Sequence, residues 1–90
     1  MSGYVYIVRC ADGTLYTGAA KNVEDRIKTH NSGKGAKYTR GRLPVELVYS
    51  EELPDYHSAQ SREYQIKQMT RKQKEVLIAE YNNPIKKSKK

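Results

Sequence analysis

The sequence predicts an α+β domain whose elements run in the order ββαβαα, and three observations carry that prediction. Residues 4–10 and 14–19 are rich in Tyr, Val, Ile and Thr and are separated by Ala11-Asp12-Gly13, which is a hairpin signal. A third alternating stretch opens at Leu43-Pro44 and closes at Leu53-Pro54. Helix-start signals stand at Asn22, at Asp55 or Ser58, and at Thr70. Ninety residues suit one small domain with a single core, assigned here to residues 1–83, with 84–90 left as a basic, disordered tail.

The hairpin comes first, and its register decides what shares a face. A two-residue Asp12-Gly13 turn would set Arg9 opposite Tyr16 and put Tyr6 and Tyr16 on opposite faces. A three-residue loop with Gly13 left-handed sets Val8 opposite Tyr16 and Tyr6 opposite Gly18. The second register is expected, because it gathers Tyr4, Tyr6, Val8 and Tyr16 on one face and leaves the space over Tyr6 open above Gly18. The result would be a pocket floored by two phenols.

Asn22 is a good N-cap, and Glu24 and Asp25 suit the positive end of the helix that follows. Val23 and Ile27 form its apolar stripe, which puts Arg26 and His30 together along the stripe's edge, at the rim of the helix–sheet contact. Asn31-Ser32-Gly33 is expected to end the helix. In the third strand Val45, Leu47 and Tyr49 alternate with Glu46, Val48 and Ser50. A second helix then runs to about Met69, and Thr70 with Gln73 resembles a capping box for a third, carrying Val76, Leu77, Ile78 and Tyr81. Glu63 falls on the sheet-facing side of the second helix with Tyr56, Ala59, Ile66 and Thr70, where a carboxylate needs a partner. A salt bridge to Arg26 or Lys67 and a bound metal ion are equal alternatives for it. His57 reads as an exposed helix-start residue.

Composition narrows the class further. With no Phe or Trp, the eight tyrosines must supply most of the large core side chains, and each buried phenol then needs a hydrogen-bond partner. Cys10 is the only cysteine, which excludes an intrachain disulfide and a multi-cysteine zinc site and fits a reducing cytoplasm. No apolar run approaches the ~20 residues of a membrane span, and Met-Ser-Gly lacks the features of a signal peptide, so no membrane partner is expected. Of the formal charge of +7, four basic residues belong to Lys86, Lys87, Lys89 and Lys90, which leaves an excess of three over residues 1–85. Residues 33–42 say more: Lys34, Lys37, Arg40 and Arg42 occur among glycines, Ala36, Tyr38 and Thr39 with no acid, which suits phosphates.

Tyr4-Val5-Tyr6, Tyr16-Thr17-Gly18 at a ten-residue tyrosine spacing, Arg26 and His30 one helical turn apart, and then Glu63 together resemble the GIY-YIG nuclease family, and above all its small stand-alone bacterial members. The likeness extends from about Gly3 to Tyr81. Tyr4 stands for the motif's glycine, Thr17 for its isoleucine, and Ala19 for a lysine that several members carry, with Lys21 close by. The resemblance implies a three-stranded, mostly antiparallel sheet flanked by helices and phosphodiester hydrolysis with one divalent metal, Mg²⁺ or Mn²⁺. It passes the metal-binding role to Glu63 and the catalytic roles to Tyr6, Tyr16, Arg26 and His30. A late polar residue of the family has Asn82 or Asn83 as its nearest counterpart.

The chemistry of these side chains agrees with that assignment. Cutting a phosphodiester needs a deprotonated water, stabilisation of charge on phosphorus and departure of the 3′-oxygen. A free phenol has a pKa of ~10, so only about one in a thousand is phenolate at neutral pH, and nearby cations must help. Arg26 can donate two bonds to a phosphate, and a metal on Glu63 can neutralise the leaving oxygen. Tyr6 is the expected base, with Tyr16 and His30 positioning water or sharing the proton. Nucleic acid is the expected partner, DNA rather than RNA, met by Lys21, Lys34, Lys37, Arg40 and Arg42; a protein partner is compatible with this. The competing expectation is a binding module for DNA or RNA whose catalysis is vestigial or partner-dependent.

Overall fold

The structure, a computed structural model, describes residues 2–82; Asn83 and the tail 84–90, for which the sequence predicts disorder, lie outside the described residues. Three strands, β1 (Gly3–Arg9), β2 (Leu15–Ala20) and β3 (Glu46–Leu53), form one sheet in the order β2-β1-β3, antiparallel throughout. The helices are α1 (Val23–Thr29), α2 (Lys37–Arg40), α3 (Tyr56–Lys67) and α4 (Arg71–Tyr81). No helix among them is long and apolar enough to cross a membrane.

The hairpin takes the three-residue register. Val8 pairs with Tyr16 and Tyr6 with Gly18. Gly13 sits at φ 87°, a left-handed conformation that costs a residue with a Cβ and that glycine adopts freely. Asp12 fixes the turn by accepting hydrogen bonds from the backbone N–H and the hydroxyl of Thr14, at 3.1 and 2.6 Å.

Because β1 is the central strand, it is covered on both faces, and Val5, Tyr6, Ile7 and Val8 are all fully buried. The two faces carry separate clusters. Val5 and Ile7 pack with Tyr49, Ile66 and Ile78 under α3 and α4. Tyr6 and Val8 pack with Cys10, Ala20 and Val45, against Tyr16, Val23, Ile27 and Leu43. Each fully buried aliphatic side chain on this strand stabilises the fold by about 1.5–3 kcal/mol before entropy is counted.

Two local expectations need correction. The third strand starts at Glu46, and its apolar residues do not share one face: the pairing jumps from Ile7–Tyr49 to Val8–Leu47, so Val48 is an extra residue in the ladder. A bulge of this kind reverses the side-chain alternation. Val45 therefore joins the Tyr6 side, Val48 and Tyr49 join the Val5 side, and Leu47 is left exposed. The helix that starts at Val23 does end at the Asn31-Ser32-Gly33 signal, in a π-type turn, His30–Lys34, closed by Gly33 at φ 84°, but the segment after it, expected to be a loop, forms α2.

The remaining helix ends follow their sequence signals. Asn22 caps α1 by accepting from Asp25 N–H at 3.0 Å, and Asp55, rather than Ser58, caps α3 by accepting from Ser58 N–H at 2.7 Å. Thr70 and Gln73 form the reciprocal capping box of α4. On α4, Ile78 is buried and Leu77 and Tyr81 pack against the core, while Val76 faces outward.

Candidate active site

The hairpin register brings Tyr6 across the backbone of Gly18. A Cβ at position 18 would lie 2.5 Å from the Tyr6 hydroxyl, so only glycine leaves room for this ring. The space that the sequence leaves open above Tyr6 is thus filled by the phenol itself. Tyr6 is fully buried and does not floor an open pocket.

Its hydroxyl meets His30 Nε2 at 2.9 Å. His30 is not at the rim of the helix–sheet contact, as the helical spacing suggests, but is itself fully buried. The π-type turn explains the difference, since it carries the chain over the imidazole, and His30 Nδ1 is thereby within 2.9 Å of the Thr39 hydroxyl. The Tyr16 ring lies edge-on to His30 with centroids 5.4 Å apart, so both phenols border one imidazole.

Arg26 stands one turn before His30 and is half-buried. Its Nε is buried and has no hydrogen-bond partner among the described residues, a state that costs free energy until an acceptor arrives. The residue lines a groove of about 490 Å³ with Ala19, Ala20, Lys21, Asn22 and Tyr56. Lys21 Nζ lies 5.8 Å from the centre of the Tyr56 ring.

Glu63 reaches the same region from α3. Its carboxylate is close enough to Tyr6 to oppose ionisation of the phenol, and it pairs with Lys67 at 2.7 Å. Of the two cations expected as its salt-bridge partner, Lys67 and not Arg26 takes that place. The pair borders the site, since Lys67 Nζ is 5.9 Å from the centre of the Tyr16 ring. Among the described residues no three His, Cys, Asp or Glu side chains converge as a metal cage.

The electrostatics follow from burial. Loss of solvent pushes the Tyr6 phenol up to about 12; the neighbouring Arg26 pulls it down, while Tyr16 and Glu63 add to the rise. Burial, followed by the charge of Arg26, holds His30 below the usual imidazole value. At neutral pH the phenol therefore keeps its proton and the imidazole has a free lone pair.

The basic residues separate into two groups. Lys34, Lys37 and Arg40 are exposed. Arg42 is engaged within the fold: Nε donates to Asp12 at 2.9 Å, Nη1 donates to the Tyr38 carbonyl at 2.6 Å, and the guanidinium covers the Tyr38 ring at 4.2 Å. Arg42 thus differs from the other three in having partners within the fold. Tyr38 stacks on Tyr16 at 5.8 Å, extending the aromatic set beyond what the motif spacing shows. Asn82 donates to the carbonyls of Val48 and Ile78 on the Val5 side of the sheet, away from Tyr6. Asn83 lies outside the described residues.

Sequence reasoning passed over Tyr38, Thr39 and Gly35. A usable signal existed for Tyr38, because a chain without Phe or Trp has to cover its phenols somewhere. Thr39 gave none, since a threonine between Tyr and Arg in a basic stretch has no distinguishing spacing.

Comparison with known proteins agrees with this geometry. The family model described as the GIY-YIG catalytic domain matches residues 2–76. A UPF0213 protein of Clostridium perfringens is 60% identical over 76 residues, covering 84% of this chain and 82% of its own. One from Natronomonas pharaonis is 53% identical over 77 residues, covering 86% and 91%. Among solved structures, the solution NMR structure of a UPF0213 protein from Bacillus halodurans has a TM-score of 0.60 at 45% identity, covering 98% of this chain and 94% of that one. The solution NMR structure of a protein from E. faecalis has a TM-score of 0.57 at 41% identity, covering 84% of this chain and 81% of that one. With its tyrosine hairpin, helix arginine and histidine, and α3 glutamate in the arrangement described, and with the family model matched over most of its length, this chain belongs to the GIY-YIG nuclease family.

Proposed function

We propose that the protein is a divalent-metal-dependent endonuclease that hydrolyses phosphodiester bonds, in structured or damaged DNA rather than at a defined sequence. The observation that carries this reading is the buried Tyr6–His30 hydrogen bond beside the unpartnered Nε of Arg26. A phenol hydrogen-bonded to a neutral imidazole can take a proton from water as it gives its own away. A buried guanidinium Nε–H that lacks an acceptor suits a phosphate oxygen.

In this mechanism Arg26 binds a non-bridging oxygen of the scissile phosphate and holds phosphorus over the Tyr6 hydroxyl. A water attacks phosphorus; its proton passes to the Tyr6 oxygen while the Tyr6 proton passes to His30 Nε2. The bond from phosphorus to the 3′-oxygen breaks, and that oxygen takes a proton from solvent. Imidazolium then returns its proton through the phenol to water. Tyr16, edge-on to His30, borders the water's position.

A hard divalent ion such as Mg²⁺ keeps most of its waters and needs only one or two protein carboxylates beside the substrate phosphate. Glu63 meets that requirement as an oxygen donor of the right class, with Lys67 as its competitor. When bound, Mg²⁺ or Mn²⁺ would supply charge neutralisation at the phosphate and the leaving oxygen. Tyr6 is covered in the substrate-free protein, so the phosphate must part the side chains around it.

Nothing beyond this single domain is required to hold a phosphate backbone, and phosphate contacts carry no sequence information. That is the basis for preferring a structural feature of DNA over a sequence. Lys21, beside Arg26 in the groove, and the exposed Lys34, Lys37 and Arg40 would bind the flanking backbone.

A second reading is a nucleic-acid-binding module, of DNA or RNA, with vestigial or partner-dependent catalysis. The Glu63–Lys67 pair favours it, because the carboxylate is already neutralised. One experiment separates the two readings: nicking of branched, nicked and linear DNA with Mg²⁺ or Mn²⁺ by the wild type, Glu63→Ala and Tyr6→Phe. Metal-dependent cleavage lost in both variants supports the nuclease. Binding without cleavage of any substrate supports the module, and equal nicking by Glu63→Ala would expose a contaminant.

A further inference from the structure

The imidazole of His30 has two neighbours, and what lies beyond one of them sets the direction of the other. Nε2 faces the Tyr6 hydroxyl and Nδ1 faces the Thr39 hydroxyl, each at 2.9 Å. The Thr39 hydroxyl also lies 2.9 Å from the Ala36 carbonyl, to which it donates. A hydroxyl has one proton. Once it is given to Ala36, Thr39 can only accept from His30, so Nδ1 must carry the ring proton and Nε2 must be the acceptor.

We infer that Thr39 is a positioning residue that holds His30 in the Nδ1–H tautomer, so that Nε2 is free to receive the proton of Tyr6. The chain of donors is continuous: Tyr6 hydroxyl to His30 Nε2, His30 Nδ1–H to Thr39, Thr39 hydroxyl to the Ala36 carbonyl. Every polar hydrogen in it has an acceptor. In the opposite tautomer Nε2–H would point at the phenol, Tyr6 would need another acceptor for its own proton, and the relay could not accept one. His30 and Thr39 are both fully buried, so no water competes for these positions.

Gly35 makes the contact possible. A Cβ there would collide with His30 Nδ1 and with its Cα, so the chain between the π-type turn and α2 closes over the imidazole only because position 35 lacks a side chain. Composition alone gives residues 33–42 a single task, attraction of phosphate. The structure adds a second one, closure over the imidazole of His30.

The inference rests on the reading of Tyr6 as the base, but its test does not need the enzyme to be active. In ¹⁵N-histidine-labelled protein at neutral pH, His30 Nδ1 is expected to show the pyrrole-type shift and Nε2 the pyridine-type shift, with the exposed His57 as the unrestrained reference. Thr39→Val, which keeps the shape but cannot accept, is expected to reverse or average that pattern. Thr39→Ser is expected to retain it and guards against a valine variant that fails to fold. Wild-type protein in the Nε2–H form, or a folded Thr39→Val that keeps the Nδ1–H pattern, would overturn the assignment. On the cleavage assay Thr39→Val should lose about a hundredfold in rate, with Thr39→Ser near wild type and DNA affinity unchanged in both. Full activity in Thr39→Val would refute the positioning role. The expected shifts together with no cleavage by any form would instead uphold the tautomer and count against the nuclease reading.

Discussion

The Glu63 carboxylate meets the Lys67 ammonium at 2.7 Å, one turn apart on α3, at the border of the Tyr6–Tyr16 cluster. The Glu63 side chain is 21% exposed and that of Lys67 is 48% exposed, so the pair faces solvent on the lysine side. An ion pair of that exposure is worth only about 0.2–1 kcal/mol, which makes it a weak competitor for a divalent cation.

Removing the lysine should therefore help metal binding slightly. Lys67→Met is expected to lower the Mn²⁺ concentration at half-saturation by up to about fivefold, followed by paramagnetic broadening of Tyr16 and His30 resonances. Glu63→Gln should abolish the broadening altogether. Broadening that persists in Glu63→Gln would mean that the ion sits elsewhere.

The ring of Tyr6 depends on an absence at position 18. Gly18→Ala puts a methyl 2.5 Å from the phenol oxygen, and overpacking of this kind costs about 1–3 kcal/mol. Tyr6→Phe keeps the ring and leaves His30 Nε2 without its donor, at a cost of about 1–3 kcal/mol. Both should lower the urea midpoint, and Tyr6→Phe should lower cleavage by about 10²–10⁴-fold. An unchanged midpoint in Gly18→Ala would mean that the ring has another place to go.

Stability should vary with pH in two separate windows. His30 titrates below its ordinary value of 6.5 in the fold, so the unfolded chain binds its proton first. Its contribution is complete above about pH 6.5 and is lost as pH falls through the folded value. The phenols behave oppositely. Tyr6 and Tyr49 are both raised to about 12, so their contribution is intact below about pH 10 and is lost between about pH 10 and 12. Thermal unfolding across both windows should show the acid-side slope diminished in His30→Gln and the alkaline slope reduced, not abolished, in Tyr6→Phe. The lowered carboxyls of Asp12, Asp55 and Glu75 act only further into acid.

The basic stretch should divide in the same way that its contacts do. Neutralising Lys34, Lys37 and Arg40 to glutamine is expected to reduce the salt slope of DNA binding by up to about 2.7, at roughly 0.9 per lost phosphate contact. Arg42→Gln should barely change that slope and should instead lower thermal stability, because it loses Asp12 and the Tyr38 ring. A large salt-slope change in Arg42→Gln would return it to the phosphate-facing group.

Much of this fold could be read from local signals. The hairpin, the cap at Asn22 and the capping box at Thr70 each depend on residues a few positions apart, and short-range chemistry settles them. The face shared by Tyr6, Gly18 and Tyr16 followed from the period of a strand once the loop length was chosen. What escaped depended on contacts between distant segments. The bulge at Val48 exists because β3 must satisfy two cores at once, and nothing in Glu46–Ser50 alone says so. His30 is buried because Gly35 and Thr39 close over it, a contact that helical spacing along α1 cannot reveal. Glu63 was legible as a side chain in need of a partner, but which partner depended on a rotamer.

The loop between the first two strands has an evolutionary consequence. Tyr6 and Tyr16 face the same imidazole only because three residues, Ala11 to Gly13, join their strands in this register. Tyr4 and Thr17 sit in this register without disturbing it, whereas gain or loss of one codon in the loop would turn the second phenol out of the cluster. The cluster therefore constrains the length of the hairpin loop more tightly than it constrains the letters within it.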